Sequence, residues 1–285
     1  MTITLRLANP SDAEVCGRIC YSAFAALAVK HDFPPDFPSP EVAAGLLAQL
    51  IADEGFYGVV AEAAGQVVGS NFLDERSIIS GVGPITVEPA QQNRAVGRLL
   101  MDDVMTRATA RGAAGIRLCQ VAYHNRSLGL YSKLGFDVRE PLSVMQGSAL
   151  ALTVPGHAVR PAGYDDLAAC NDLCRRIHGH DRANELQSAV AAGTARVVEN
   201  SGRITGYAGD IAFFAHAVGE SNADLQALIA ATKIFGGPGF LLPTRNAELF
   251  RWCLEHGLHV VQQMTLMSVG LYSEPRGVWL PSVLY

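Results

Sequence analysis

The 285-residue sequence lacks the features that would place it in a membrane or on a nucleic acid. A charged residue interrupts every apolar stretch before it reaches the roughly 18 residues that a membrane span needs. The first residues run through Arg6 and Asp12 without the apolar core of a signal peptide. The net charge is −5 and no run of Lys or Arg occurs, so binding to a polyanion is not expected. We therefore expect a cytoplasmic protein that acts on something small, with no nucleic acid and no membrane as a partner.

Common motifs for nucleotides and zinc are missing as well. No G-x-x-x-x-G-K-S/T stretch is present, which excludes a P-loop, and no G-x-G-x-x-G stretch marks a dinucleotide site. Two of the cysteine pairs, Cys16/Cys20 and Cys170/Cys174, have a C-x3-C spacing instead of the C-x2-C spacing of zinc knuckles. Because a gap of four places both thiols on one helical face, we expect them to pack as small buried side chains.

A cluster of two histidines and an aspartate, His178, His180 and Asp181, is the remaining metal candidate. Two histidines two residues apart do not share a helical face, and no third strong ligand is identified. We therefore expect a loop that is structural or touches substrate, and no metal.

Three blocks of sequence repeat in the same order along the chain. Residues 5–20 align with 159–174 at an offset of 154, and residues 59–70 align with 196–207 at an offset of 137. A third block, LGFDV at 134–138, aligns with HGLHV 122 residues later. The repeats predict two copies of one fold in tandem. The copies meet at the Pro- and Gly-containing segment near residue 155, so we predict domains at 1–152 and 153–285.

Each copy is predicted to begin with a strand, a helix and a hairpin, and Asp12 or Asp166 lies near the start of the helix. In copy one, helices and strands then alternate, which predicts a mixed sheet with helices on both faces, an α/β (α+β) fold. The segment 31–40 carries four prolines and is predicted to be a loop between the first two helices. The later elements of copy one are predicted at 83–87 (strand), 96–111 (helix), 115–121 (strand), 126–134 (helix), 136–138 (strand) and 142–147 (strand).

The turn between strand 83–87 and helix 96–111 is the most informative segment. Around Gln92 and Gly97 it has almost no bulky side chains, so main-chain N–H groups can converge at the positive end of the helix dipole. Arg94 and Arg98 add positive charge. This pattern indicates a binding site for a diphosphate group.

The residues here and downstream resemble a known family. QNRAVG at 92–97 is similar to the Q/R-x-x-G-x-G/A acyl-CoA diphosphate loop of the Gcn5-related N-acetyltransferases (GNAT). NRSLGLYSKLGF at 125–136 is similar to the N…LYxKLGF motif of that family. The resemblance covers roughly residues 3–148 and, more weakly, the second copy. It implies two tandem acetyltransferase-type domains, each a mixed, mostly antiparallel twisted sheet flanked by helices. Each sheet would contain a pair of parallel strands that splay apart, formed in copy one by strands 83–87 and 115–121.

The resemblance implies acetyl-CoA as co-substrate. One position departs from the pattern, since Ala95 stands where the family usually has Gly; alanine resists a positive φ, so we expect a slightly reshaped loop. The implied contacts are Ile85, Thr86 and Val87 with the pantetheine amides, Gln92, Asn93, Arg94, Ala95, Val96, Gly97 and Arg98 with the diphosphate, Asn125 with the pantetheine arm and Tyr131 with the thioester sulfur.

The resemblance also implies the chemistry. An amine attacks the thioester directly, a main-chain N–H of strand 83–87 stabilises the oxyanion, and Tyr131 protonates the leaving thiolate. The general base is left open among Glu75, Asp74 and His124. Glu75 ranks first because its strand should neighbour strand 83–87, while His124 has the more suitable ordinary pKa. Each of the three could instead be an ordinary surface group, and Tyr131 a packing aromatic.

The second copy has lost the predicted site. It has no Q-x-x-G-x-G stretch, and Cys253 stands at the position of Tyr131, four residues before the matching glycine. We interpret it as a degenerate GNAT-like domain that takes the place of a partner subunit and forms one wall of the acceptor pocket. The predicted assembly is a monomer (a pseudo-dimer) or a homodimer.

Three functions follow as alternatives. The first is an N-acetyltransferase that moves an acetyl group to a primary amine of a small molecule in a ternary complex. The second is a non-catalytic acyl-CoA-binding or regulatory module, suggested by Ala95 and the absence of a clear base. The third is a scaffold for a protein partner.

Overall fold

The computed structural model describes residues 2–284, which form two mixed layers of strands and helices. The strands are β1 (Ile3–Leu7), β2 (Phe56–Ala63), β3 (Gln66–Asp74), β4 (Ile79–Val82), β5 (Thr86–Val87), β6 (Gly115–Val121), β7 (Asp137–Gln146), β8 (Ala158–Pro161), β9 (Arg196–Asn200), β10 (Arg203–Ala208), β11 (Ala217–Gly219), β12 (Phe240–Pro243), β13 (His259–Gly270) and β14 (Val278–Leu280). The helices are α1 (Ala13–His31), α2 (Pro40–Ala52), α3 (Val96–Ala110), α4 (Asn125–Lys133), α5 (Leu167–His178), α6 (Ala183–Ala191), α7 (Asn222–Ala231) and α8 (Ala247–Glu255).

The strands form two sheets that together confirm the predicted α/β (α+β) class. The larger sheet has nine strands in the order β1-β2-β3-β4-β6-β13-β7-β12, with β5 paired to β3, and the smaller has the order β14-β11-β10-β9-β8. All neighbouring pairs are antiparallel except β4 and β6. The predicted helix 96–111 and strand 115–121 are confirmed as α3 and β6 within one residue.

The larger sheet contains strands from both copies. Strand β13 of copy two lies between β6 and β7 of copy one and pairs with both, from Met264 opposite Val121 and from His259 opposite Gln146. Strand β12 then pairs with the outer edge of β7. The two copies have therefore exchanged strands. The domain limit at 152/153 remains a prediction, and the larger sheet contains strands from both sides of it.

This exchange corrects the prediction of two strands at 136–138 and 142–147. Copy one has a single ten-residue strand here, β7, because the antiparallel partner that a hairpin would supply comes from β13. Pro141, which has no N–H, lies just beyond the end of β12, where the Thr244 N–H donates to its carbonyl.

The predicted strand 83–87 is also wrong as one continuous strand. The parallel partner of β6 is β4, with Ile79 opposite Gly115 and Gly81 opposite Arg117. The chain leaves the β6 edge after Val82, and the short strand β5 pairs within residues 2–284 with β3 alone. From Val82 onward the chain of β4 and β5 thus splays away from β6. The edge of β5 that does not pair with β3 is left open.

The structure supports the repeat at the level of individual contacts. In both copies an Arg of the first strand bridges the Asp that precedes the first helix and a Glu of the following hairpin, at 2.7–2.8 Å. The two sets are Arg6, Asp12 and Glu62 in copy one and Arg160, Asp166 and Glu199 in copy two. The hairpin turns match as well, with left-handed backbone at Ala64-Gly65 and at Ser201-Gly202.

The paired cysteines pack as predicted. Cys16 and Cys20 lie on the buried face of α1, and Cys170 and Cys174 lie on that of α5, all as free thiols. Burial raises the pKa of Cys16 and Cys174 to about 11, so these thiols stay protonated and behave as small apolar groups. Among residues 2–284, no helix has both the length and the apolar character to cross a membrane.

Candidate active site

One cavity of about 760 Å³ follows the splay between β5 and β6. Copy one lines it with α1, the loop before α2, β5, the start of α3, β6 and α4. Copy two contributes Phe213, Phe214 and Pro238, and the segment after β14 contributes Val283 and Leu284. The cavity therefore has walls from both copies.

The loop before α3 lines this cavity and is the candidate diphosphate cradle. Within the described chain, the main-chain N–H groups of residues 93–98 donate no hydrogen bond to another residue. Asn93 and Ala95 adopt left-handed backbone with φ of 66° and 63°. The first turn of α3 carries no acidic side chain, so the helix dipole and the N–H groups favour an anion here.

Ala95 corrects one expectation about this loop. We expected alanine to resist a positive φ and reshape the turn, but the left-handed conformation is kept. Its cost for an L-residue is about 1–2 kcal/mol, and the buried Val96 beside it, which is 1% exposed and packs into the core, holds the helix start in place.

Replacing Ala95 by Gly is expected to raise the free energy of unfolding by about 1 kcal/mol, since glycine adopts positive φ without steric cost. If this loop binds CoA as predicted, the CoA affinity should change less than about threefold, because Ala95 already has the left-handed backbone that Gly would adopt. Urea unfolding and calorimetric titration with CoA measure both. The matched control is Ala64→Gly, at φ 51° in an exposed hairpin turn away from the cavity. A reshaped loop in Ala95→Gly, seen as a tenfold change in CoA affinity, would contradict this interpretation.

Side chains reinforce the cradle. The Gln92 amide donates to the Val87 carbonyl at 3.2 Å, tying the loop to β5. Arg126, at the start of α4, donates to Gln92 and, at 3.2 Å, to Asn93. Sequence reasoning missed Arg126, although a cation directly after the Asn125 motif position was a signal for it.

The predicted cofactor residues separate into two groups. Most line the cavity, namely Ile85, Thr86, Val87, Gln92, Asn93, Ala95, Val96, Gly97, Arg98, Asn125 and Tyr131. Arg94 is exposed and is not among the lining residues. Asn125 is the first residue of α4, and His124 occupies the N-cap position before it.

Three side chains line the cavity about one helical turn apart: His124 at the N-cap of α4, and Ser127 and Tyr131 within it. The Ser127 hydroxyl lies 2.6 Å from His124 Nδ1. Burial raises the pKa of Tyr131 to about 12, against an opposing hydrogen bond from Ser127, so the phenol holds its proton at neutral pH. Burial and the nearby Arg126 charge lower the pKa of His124 to about 4, so its imidazole is neutral and able to accept a proton.

The two carboxylate candidates for the base lie elsewhere. Glu75 is 5% exposed and pairs with Arg107 at 2.8 Å and Arg111 at 3.1 Å. Asp74 accepts three hydrogen bonds from Arg76, one from its main-chain N–H and two from its guanidinium. Neither carboxylate is among the residues that line the cavity. Of the three predicted bases, only His124 is brought together with Tyr131.

The equivalent region of copy two is closed. Strand β14 pairs with the edge of β11, so a strand of the chain itself occupies the edge that would otherwise be open in copy two. At the start of α7, Asp224 accepts from the main-chain N–H and the hydroxyl of Ser221, both at 2.8 Å, so a carboxylate occupies the anion position. Cys253 is buried in α8, and burial raises its pKa to about 12.

The histidine cluster of copy two is a packed interior feature. His178 Nε2 and His216 Nε2 lie 3.0 Å apart and both rings are buried. Within residues 2–284, no group of three or more His, Cys, Asp and Glu side chains is arranged to hold a metal ion. Burial lowers the pKa of both rings, with further lowering from neighbouring positive groups, so both are neutral at pH 7.

This pair is expected to make the protein lose stability in mild acid. Because the folded-state pKa values lie below the unfolded value near 6.5, the unfolded chain binds protons first as the pH falls. Stability is full above about pH 6.5 and falls below it by about 1.4 kcal/mol per pH unit for each histidine. Urea unfolding between pH 7.5 and about 5 measures the slope. Burial also lowers the pKa of His124 and of His180, each to about 4, so four histidines contribute and His216→Gln should remove about a quarter of the slope; a flat profile would contradict the interpretation.

The comparisons with known proteins agree with this geometry. Residues 53–138 match the acetyltransferase (GNAT) domain model. A provisionally assigned acetyltransferase from Pyrococcus horikoshii has 16% identity and a TM-score of 0.72, with 97% of this chain and 94% of that chain covered. A GCN5-related N-acetyltransferase from Sphaerobacter thermophilus has 16% identity and a TM-score of 0.62, with 95% and 96% covered. A tandem GNAT protein from the clavulanic acid biosynthesis pathway has 13% identity and a TM-score of 0.55, with 94% and 98% covered.

No curated protein sequence matches the chain. The structural matches, all below 20% identity, show the fold, and the family model covers the segment that contains the loop before α3. Residues 53–138 thus match a GNAT acetyltransferase domain model, within a chain that has the fold of tandem GNAT proteins.

Proposed function

We propose that the protein transfers an acetyl group from acetyl-CoA to a primary amine of a small molecule, by direct attack in a ternary complex. The observation that carries this proposal is one continuous cavity. It connects main-chain N–H groups without protein acceptors, at residues 93–98, to a buried, protonated Tyr131. The GNAT fold supports acyl transfer in general; the amine and the residue roles are our proposal.

The residues present fit an acyl-CoA. The free N–H groups and left-handed residues of the cradle suit a diphosphate, and Arg126 and Arg98 add positive charge at its rim. The open edge of β5 provides main-chain groups for amides of an extended pantetheine arm. Acetyl-CoA would supply the thioester whose acetyl group is transferred.

The residues of the chain then have distinct roles. His124 takes the proton that the attacking amine loses as the new C–N bond forms, with Ser127 orienting its ring through Nδ1. A main-chain N–H on the open edge of β5 stabilises the oxyanion. Tyr131 donates its proton to the sulfur as the C–S bond breaks, so a neutral thiol leaves. Ordinary thiols have a pKa near 8.5, and a phenol with a pKa of about 12 keeps its proton until that charge develops.

The experiment is an assay of thiol release from acetyl-CoA with a panel of primary amines, with mass-spectrometric detection of the acetylated product. We expect release that depends on an amine and stops in the Tyr131→Phe variant. Heat-denatured protein and omission of the amine are the controls. No CoA binding in calorimetry and no release with any amine would contradict the proposal.

One observation favours a second candidate, the non-catalytic acyl-CoA-binding module. Glu75, which ranked first among the predicted bases, forms ion pairs with Arg107 and Arg111 outside the cavity. This alternative predicts CoA binding without turnover for any amine. Detectable acetylated product would exclude it.

A further inference from the structure

The gap between β5 and β6 has a closed end. Going back along the chain from Val87 to Gly83, the gap narrows to the point where β4 pairs with β6, with Gly81 opposite Arg117. An extended arm that starts at the candidate cradle and follows the open edge of β5 runs towards this closed end. The acyl group beyond the sulfur of that arm would therefore lie next to Val82 and Gly83, and both residues line the cavity.

Residues 282–284, which follow β14, cover the closed end. The main chain of Leu284 lies directly on Gly81, since a Cβ added to Gly81 would be 1.7 Å from the Leu284 carbonyl oxygen. A Cβ added to Gly83 would be 3.8 Å from Leu284 Cδ2. Leu284 itself is 6% exposed. Because only glycine at position 81 leaves room for this approach, the 282–284 segment is seated on β4.

Hydrogen bonds from both copies fix this segment. The Val283 N–H donates to the Phe213 carbonyl of copy two at 2.9 Å, and the Leu284 N–H donates to the Ser282 hydroxyl at 3.2 Å. From copy one, the Cys119 thiol donates to the Ser282 carbonyl at 3.8 Å. The segment is therefore a fixed wall of the cavity.

The side chains at the closed end are apolar. Val283 and Leu284 line the cavity together with Cys119, Val121 and Met264. Burial raises the pKa of Cys119 to about 12, so its thiol is neutral. Such a wall suits a short alkyl chain, since each methylene that finds room there gains about fourfold in affinity. A longer chain must displace packed side chains, which lowers affinity.

We propose that Val283 and Leu284 limit the length of the acyl chain, so that the protein binds acetyl-CoA in preference to longer acyl-CoA. This inference rests on the proposed function and names specificity-determining residues of the same cavity. The diphosphate would be held by copy one, and the acyl chain would be measured by a segment that follows β14 of copy two.

The test is calorimetric titration with CoA, acetyl-CoA and butanoyl-CoA, which differ only at the acyl end. We expect the wild-type protein to bind butanoyl-CoA at least about tenfold more weakly than acetyl-CoA. Leu284→Ala removes most of the blocking side chain, and burial of the extra methylenes should bring the two affinities within about threefold of each other. The matched control is Leu258→Ala, which truncates a leucine that is 3% exposed outside the cavity and should keep the wild-type preference.

A second variant and the wild-type series keep the test decisive if Leu284→Ala does not fold. Val283→Ala shortens the same wall, and the preference should relax by about threefold or more. Equal binding of acetyl-CoA and butanoyl-CoA by the wild type, an unchanged preference in either variant, or the same relaxation in Leu258→Ala would overturn the inference. CoA separates the two levels: CoA binding without dependence on acyl length overturns this inference alone, whereas absent CoA binding overturns the proposed function with it.

Discussion

Replacing Tyr131 by Phe is expected to lower kcat for amine acetylation by about 10²- to 10⁴-fold, the usual contribution of a general acid. The ring would still fill its place beside Phe136, so the fold and CoA affinity should stay nearly unchanged. The loss comes from forcing a thiolate to leave unprotonated from a buried site. Steady-state kinetics with the best amine of the panel, together with CoA titration, measure the two effects separately.

The control is Tyr57→Phe. The Tyr57 hydroxyl donates to Asp103 at 2.9 Å outside the cavity, so the same chemical change should leave kcat unaltered. A Tyr131→Phe enzyme with kcat within about threefold of wild type would contradict the acid role and leave Tyr131 as a packing aromatic.

A chain that ends at residue 152 is not expected to fold as a monomer. Without copy two, the facing edges of β6 and β7 lose the twelve-residue strand β13 that pairs with both. Leu266 and Met267 of that strand are fully buried, and removing one such side chain alone costs about 2–5 kcal/mol. Loss of the whole strand therefore exceeds the stability of about 5–15 kcal/mol that a typical domain has.

Ultracentrifugation, circular dichroism and CoA titration of the 1–152 chain test this expectation. We expect an insoluble product or a self-associated species in which a second copy supplies the missing strand. The control is the full-length protein cut by a protease at a site inserted in the mostly exposed 151–156 segment, whose halves should stay associated. A folded, CoA-binding monomer of residues 1–152 would contradict the intertwined topology. Because the exchange completes the sheet within one chain, we propose a monomeric pseudo-dimer; the homodimer remains the alternative.

The elements predicted correctly are those with local signals. Helix α3 and strand β6 follow from apolar periodicity, and the loop that precedes α3 follows from a turn with small residues. The buried thiols follow from a spacing of four. The break between β4 and β5 was missed although Gly83 and Pro84 mark it, since Pro84 has no N–H to continue a ladder and the chain leaves β6 at this point.

The errors at the site have a common origin. Glu75 ranked first as the base because its strand neighbours the splay, yet Arg107 and Arg111, more than thirty residues away in sequence, hold its carboxylate. Long-range charge pairing leaves no local pattern to detect.

By itself, the sequence indicated that one fold occurs twice, and it predicted an anion cradle and a tyrosine in the first copy that the second copy lacks. The tertiary structure alone decided that the copies exchange strands, that His124 is the candidate base that meets Tyr131, and that both copies wall the cavity. The physical reason is the nature of strand pairing. Strand β7 presents the same alternating edge to any antiparallel partner, so its sequence selects a strand but not the copy from which that strand comes.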